Sequence, residues 1–493
     1  MQDNHRQVYI MSPTLILATV AAYFLALFTI SYFASRHSDN ASFFGSRRSR
    51  WYLVTIAMIG ASMSGVTYVS VPGMVSSCGF GYMQMFLGFI VGQLVIAFVL
   101  TPLFYKMKLT SIYQYLSDTL GASSYRTSAW FFFLSKMLGA AVRLFLVCTT
   151  LQLLAFGPLG IPFGVNVIVS VGLVWVYTVK GGVKSVIWTD VLKTLCLVVS
   201  VVLCIVFIAR DLHLSFGGMV QVIADSPYSR VFFFNDVNDR EYFFKQFFAG
   251  AFTMIAMTGL DQDMMQRNLT CRNYHDAQKN MMVTIFSQFF VVLFFLMLGV
   301  LLYVFAAAKG IDASGDKIFP VIATGHWLPV IVGVLFIIGF VSSAYNAAGS
   351  ALTALTTSFT IDILGVKGKS DEQITRTRRW VHVGMAVIMG LCIVMFNILN
   401  STSVIDAVYI LASYTYGPIM GLFGFAIIVR RPVHDRFVPL VALLAPCICL
   451  VLDLNSERWL GGYKFSYELL ILNAFLTFAG MCCLIRRMPK QAA

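Results

Sequence analysis

The chain has 493 residues, of which 58% are hydrophobic and only 12% are charged. A soluble domain carries roughly 25% charged residues, so the composition excludes an ordinary water-soluble fold and points to a chain built for lipid. The net charge of +13 needs no nucleic-acid partner, because the basic residues gather in alternate short loops, the positive-inside pattern of a multi-pass membrane protein.

The first apolar run, Pro13 to Phe33, is too long for the core of a signal peptide. Its basic cluster (Arg36, Arg47, Arg48, Arg50) follows the run rather than preceding it. It reads as an uncleaved helix with its N-terminus outside. Apolar segments then recur near 51–76, 81–105, 125–156, 162–179, 186–210, 243–262, 277–306, 328–361, 378–398, 402–429, 436–454 and 466–486, about thirteen spans in all at roughly 20 residues each. With the N-terminus outside, Lys106/Lys108, Lys180/Lys184, Arg267/Arg272/Lys279, Lys367 to Arg379, Arg430/Arg431/Arg436 and Arg486/Arg487 all fall on the cytoplasmic side. The longest polar stretch, Asp211 to Tyr242, is rich in aromatics (Phe232, Phe233, Phe234) and is expected to fold over the outer surface. No separate soluble domain is visible.

Two spans are interrupted. Gly60-Ala61-Ser62-Met63-Ser64-Gly65 breaks the second, and Met257-Thr258-Gly259-Leu260-Asp261-Gln262-Asp263 breaks the seventh. Backbone leaves helical geometry at membrane depth only where protein or a wet cavity satisfies it. Two breaks five spans apart are what an inverted five-plus-five repeat predicts, with a binding site at the breaks. Close packing through small residues is the alternative.

An ionisable side chain at the bilayer centre costs roughly 2.5–3.5 kcal/mol on insertion scales, so each one needs a reason. Arg143, in Gly139-Ala140-Ala141-Val142-Arg143, suits a substrate carboxylate through its bidentate fork; a structural partner elsewhere in the bundle is the alternative. Asp190, after Trp188-Thr189, offers an oxygen ligand to a hard cation or a proton carrier, or else a carboxylate placed at a helix start. On the ninth span Ser343, Asn346/Ala347 and Ser350 share one face at helical spacing, a narrow oxygen-bearing strip able to lie against the first break. Asp406 and Lys193 are further candidates whose depth the sequence does not fix.

Enzyme signatures are missing: there is no HExxH, no Walker loop and no complete GxSxG, and the seven histidines show no catalytic spacing. The ten cysteines follow neither zinc nor disulfide spacing and are expected to be buried, inert thiols.

Three stretches together resemble the sodium:solute symporter family: Lys180-Gly181-Gly182-Val183-Lys184-Ser185-Val186-Ile187-Trp188-Thr189-Asp190, Asp261-Gln262-Asp263-Met264-Met265-Gln266-Arg267, and Thr110-Ser111-Ile112-Tyr113-Gln114-Tyr115-Leu116. The resemblance runs over nearly the whole chain. It implies an all-α, LeuT-like multi-pass fold in one transporter domain, 1–493. Within it, 12–34 is an extra N-terminal helix, 51–210 and 243–429 are the two repeats, and 436–486 holds two C-terminal helices. It implies sodium as coupling ion, held by backbone carbonyls of Gly60 and Met63 with Ser343, Asn346 and Ala347 opposite. Family members usually carry a hydroxyl pair where this chain has Asn346-Ala347. A second sodium site, seen in the sialic acid branch, is matched by Asp190 and Ser350, with Gly349 and Asn346 in place of serines. The same branch places substrate at Ser62, Ser64, Thr67 and Arg143; its glutamine is out of register here, with Phe86 in its place and Gln84 two residues away. The implied function is sodium-coupled import of a small polar solute by alternating access, with an acidic sugar or other carboxylate ahead of a neutral sugar, polyol or amino acid, and an uncoupled facilitator as the competing class. The expected setting is a monomer in the bacterial inner membrane.

Overall fold

A computed structural model describes residues 11–35, 50–62, 64–107, 111–180, 183–364, 370–399 and 403–486. The chain is nearly all helix, because apolar runs of this length can satisfy their backbone in lipid only through intrahelical hydrogen bonds. In chain order the main helices are α1 (Pro13–Ser35), α2 (Trp51–Ser62), α3 (Gly65–Gly73), α4 (Tyr82–Val95), α5 (Ala122–Leu151), α6 (Phe163–Lys180), α7 (Val183–Asp211), α8 (Phe243–Met254), α9 (Gln262–Leu269), α10 (Tyr274–Lys309), α11 (Val330–Ser358), α12 (Asp371–Leu399), α13 (Val404–Ile428), α14 (Val438–Trp459) and α15 (Leu469–Cys483).

Among the described residues, seven helical stretches are long and apolar enough to cross a membrane, and three sharply bent pairs, each taken as one span, bring the number to ten. Three shorter apolar helices, Pro13–Thr29, Phe163–Thr178 and Leu469–Cys483, would each have to cross as well for the expected thirteen to hold.

Both interrupted spans are broken where the small and polar residues stand. α2 and α3 meet at 51°, and the α8 stretch meets α9 at 69°. Ser64 caps α3, its side chain accepting from the Thr67 backbone N–H, and Asp261 caps α9 in the same way through Met264. A hydroxyl or carboxylate at N-cap satisfies donors that the break exposes. A π-helical turn, Ile255–Gly259, precedes the second break, a local distortion often found at functional positions.

The central helix is α5. It packs against α11 on one side and α13 on the other, with α12 also in contact. The half-helix α3 is held rigidly: the Tyr68 ring lies 5.3 Å from Phe336 and 5.0 Å from Phe319, and its hydroxyl shares a short hydrogen bond with Ser200 of α7. Between α4 and α8 the glycines allow backbone contact. A Cβ on Gly250 would lie 2.1 Å from the Met85 carbonyl oxygen, and one on Gly88 2.0 Å from that of Phe247, so only small residues let these two helices meet.

The aromatic-rich loop 211–242 packs on the helices that flank it. Phe232, Phe233 and Phe234 precede α8, with the Phe234 ring tilted 4.8 Å from that of Phe243, and the segment is tied to α4. The cysteines depart from expectation in part. Cys78, Cys148, Cys196, Cys204, Cys271 and Cys449 are buried, but Cys447, Cys482 and Cys483 are exposed on α14 and α15, helices with only thin cover whose outer faces are apolar enough for lipid.

Candidate functional site: the two helix breaks and the central helix

The first break lies against α11. A Cβ on Gly65 would meet Phe340 at 3.3 Å and Ala344 at 3.4 Å. Ser343 and Asn346, one helical turn apart and adjoining Ala344, are both buried, while Ala347 and Ser350 are half-buried. The start of α3 and the stretch of α11 that carries Ser343, Asn346 and Ala347 therefore adjoin at Gly65 and Ala344. Hydroxyl, amide and carbonyl oxygens are the hard donors that an alkali cation prefers. Of the remaining expected ligands, Met63 and the side chains of Ser62 and Asp190 lie outside the described residues.

At the start of α3, Ser64 and Thr67 are half-buried with their hydroxyl oxygens 3.4 Å apart. Arg143 projects from α5, half-buried. Among the described residues it makes no hydrogen bond and no ion pair. Its charge nevertheless acts on the hydroxyls of Tyr409 and Tyr416 and on Lys136. A guanidinium held at membrane depth with its five donors uncommitted is costly unless an anion completes it.

Gln84 occupies a different role from the one expected. It is fully buried; its amide donates to the Glu241 carbonyl at 2.9 Å and accepts from the Phe233 N–H at 3.0 Å. Both ends of the amide are committed to the 211–242 loop, so it anchors that loop to α4. Phe86, the residue in register, packs 5.5 Å from Phe89 and 6.0 Å from Phe289 in an aromatic wall.

A tyrosine cluster joins α4 to α13 and to Tyr467. The Tyr82 and Tyr409 hydroxyls are 2.7 Å apart, and the Tyr409 and Tyr467 rings are 5.0 Å apart. Tyr467 donates a short hydrogen bond to Asp406, which Arg240 approaches to 3.9 Å. Beside them Glu241, largely buried in the outer loop, has its carboxyl pushed up to about 7 by burial, with Arg240 opposing and Asp406 and Asp239 reinforcing the rise. Asp406, whose depth the sequence did not fix, thus stands at the start of α13 beside the 211–242 loop.

A second cluster gathers the Asp261 to Arg267 stretch and Ser350 around Lys136, the one member that the sequence did not single out. Lys136, about two turns or ~10 Å along α5 from Arg143, sits 3.2 and 3.1 Å from the two carboxylate oxygens of Asp261 and 3.1 Å from Asp263. Asp261 also accepts from the Tyr416 hydroxyl at 2.7 Å. Arg267 reaches Asp263 at 3.5 Å and donates to the Ser350 hydroxyl at 2.8 Å, and that hydroxyl donates to Asp263 at 3.1 Å. The motif Asp261-Gln262-Asp263…Arg267 therefore ties the second break to α5 and α11. The short helix after the third span completes the tie: Tyr113 donates to the Leu260 carbonyl at 2.9 Å and Ile112 N–H to Gln262 at 2.8 Å. A lysine in the apolar run from Trp130 to Val142 was the signal available in the sequence. His382 of α12 is buried and structural, its two ring nitrogens each 2.9 Å from a threonine hydroxyl, Thr178 on α6 and Thr356 on α11.

Two broken helices meeting on a central helix, with an oxygen-lined junction and a lone arginine, are the layout of an ion-coupled carrier. The family model for the sodium:solute symporters matches residues 42–434. The chain belongs to the sodium:solute symporter family. The match covers the described helices from α2 to α13 and leaves out α1, α14 and α15. This member is accordingly a sodium-coupled solute transporter of LeuT-like fold and not an enzyme. It is 27% identical over 475 residues to the sodium/sialic acid symporter NanT of Aliivibrio fischeri, covering 90% of this chain and 89% of that one. It is 24% identical over 454 residues to the sodium/sialic acid symporter SiaT of Proteus mirabilis, covering 87% and 88%. In three dimensions it superposes on the substrate-bound, outward-open structure of a Na+-coupled sialic acid symporter with a TM-score of 0.77 at 19% identity, over 96% of this chain and 99% of that one.

Proposed function

We propose that this symporter imports a small carboxylate, an acidic sugar of the sialic acid type, with Arg143 as its carboxylate receptor. The observation that carries the reading is the uncommitted guanidinium of Arg143 in the interior of a long apolar helix, on the element that packs against α3, α11 and α13. Charge-assisted hydrogen bonds from an arginine fork to a carboxylate are short and strong and fix orientation. Hydroxyls around it suit the ring hydroxyls of a sugar. The similarity to two sialic acid symporters supports the same substrate class.

Sodium in this reading binds first, on the carbonyls of Gly60 and Met63 and on Ser343, Asn346 and Ala347, where α2 and α3 part against α11. Filling that junction stabilises the break in the geometry that presents Ser62, Ser64 and Thr67 to the solute. The solute then joins α3 to α5, the tyrosine roof closes over it, and the tie beneath Arg143 releases to let both leave. The chain works as a monomer in the bacterial inner membrane, with its N-terminus outside, thirteen spans, and repeats at 51–210 and 243–429.

Uptake of radiolabelled sialic acid into proteoliposomes tests this, with an inward sodium gradient set against an inward potassium gradient. Sodium-dependent accumulation that excess neutral hexose leaves intact is the expected result. Competition by neutral sugars or amino acids, with none by carboxylates, would sink the assignment of Arg143.

A further inference from the structure

We infer that this transporter carries part of its coupling charge within its own chain: Lys136 and Arg267 supply, as tethered cations, the positive charge that a second sodium ion would otherwise bring, so one sodium moves per solute. The inference deepens the carboxylate reading above and rests on it only for its electrical consequence.

The argument starts at Ser350, the hydroxyl matched to a second sodium ligand. That oxygen is occupied on both sides, accepting from the Arg267 guanidinium at 2.8 Å and donating to Asp263 at 3.1 Å. A sodium ion coordinated by Ser350 would stand beside a full positive charge. Asp263, the described carboxylate nearest to that hydroxyl, is itself held by Lys136 at 3.1 Å and Arg267 at 3.5 Å. Lys136 neutralises Asp261 as well, at 3.1 Å. Two carboxylates and two cations close the cluster to zero net charge, and Arg143 adds a third cation near enough to act on Lys136. Unit charges a few ångströms apart in a site shielded from water repel strongly, so an extra cation has no net negative charge in this cluster to attract it. The serine at the first turn past Asn346 is replaced by Gly349, whose added Cβ would strike Thr178 at 2.9 Å. Space that a second hydroxyl would need is taken by a side chain of α6.

The electrical consequence is definite. One sodium with one carboxylate moves no net charge, whereas a second sodium would make uptake electrogenic, concentrating solute about 50-fold more per 100 mV of potential.

Counting sodium on the purified full-length protein tests the inference without any solute, so a wrong reading of Arg143 cannot mask the answer. Equilibrium binding of radioactive sodium should saturate at one ion per chain with a Hill coefficient near 1. Two ions per chain would overturn the inference. Ser350→Ala should leave the count at one; a fall from two to one would identify Ser350 as a ligand and overturn it too. Lys136→Met, where the protein remains folded, leaves a carboxylate in excess. It should gain a second bound sodium, or a dependence of binding on pH between about 5 and 8 that the parent lacks. Gain of neither would count against the tethered charge. In proteoliposomes a valinomycin potential of about 100 mV, negative inside, should leave sialic acid accumulation within about twofold; a rise approaching 50-fold would overturn the one-to-one stoichiometry.

Discussion

Arg143 and Lys136 stand on the same helix about two turns apart, both cations in the membrane interior, and they are in opposite electrostatic condition. Lys136 touches three carboxylate oxygens and is almost wholly buried. Arg143 is half-buried and touches none. A charge that the protein itself completes ties elements together, as Lys136 ties α5 to the second helix break. A charge left incomplete, where its desolvation has already been accepted in folding, is kept for something that arrives from outside. The contrast separates a charge that joins helices to one another from a charge that the chain leaves uncommitted.

The strongest way to break the comparison is to remove the completed charge. Lys136→Met leaves two buried carboxylates against one guanidinium, and loss of one partner of a buried pair costs about 3–5 kcal/mol. The melting temperature of the purified protein should fall by several degrees, while Arg143→Ala should leave it nearly unchanged. If the two variants melt alike, the two cations are not in different states.

Arg143→Ala sharpens the other half. Losing charged hydrogen bonds to a carboxylate costs about 1.5–3 kcal/mol, which lowers affinity for sialic acid roughly 10- to 150-fold. Sodium binding measured without solute should be unaffected. Arg143→Lys should recover only part of the loss, since an ammonium cannot offer the planar fork.

Gln84→Ala is the smaller test of where cargo recognition ends. Its amide joins Glu241 and Phe233 of the outer loop to α4, and leaving buried partners unsatisfied costs about 1–3 kcal/mol. Proteolysis of the outer loop should quicken while the solute dissociation constant shifts by less than about threefold. A larger shift would return Gln84 to the binding site.

The weakest effect concerns pH. Glu241 has a folded-state pKa of about 7 against an ordinary 4.5. The folded protein therefore holds a proton that the unfolded chain releases, and this contribution is greatest below 4.5 and is lost as pH rises towards about 7. Thermal stability should decline across that window in the parent and less so in Glu241→Gln. An identical slope in both would place the carboxylate in contact with water.

The sequence alone fixed the class of this protein and the places where its helices break, because hydrophobic run length and loop charge are local quantities that lipid reads directly. Gly60 to Gly65 and Met257 to Asp263 were visible as small and polar residues at the wrong depth, and both are breaks of 51° and 69°. Arg143 stood out for the same reason. Tertiary structure alone decided which charges are completed. Lys136 lies 125 residues from Asp261 and 127 from Asp263, Arg267 lies 83 from Ser350, and Gln84 lies 157 from Glu241. No spacing within one segment encodes those meetings. A polar residue written in an apolar run declares that it needs a partner, and only the packing of α5 against α9, α11 and α13 determines whether that partner is part of the chain or the solute it carries.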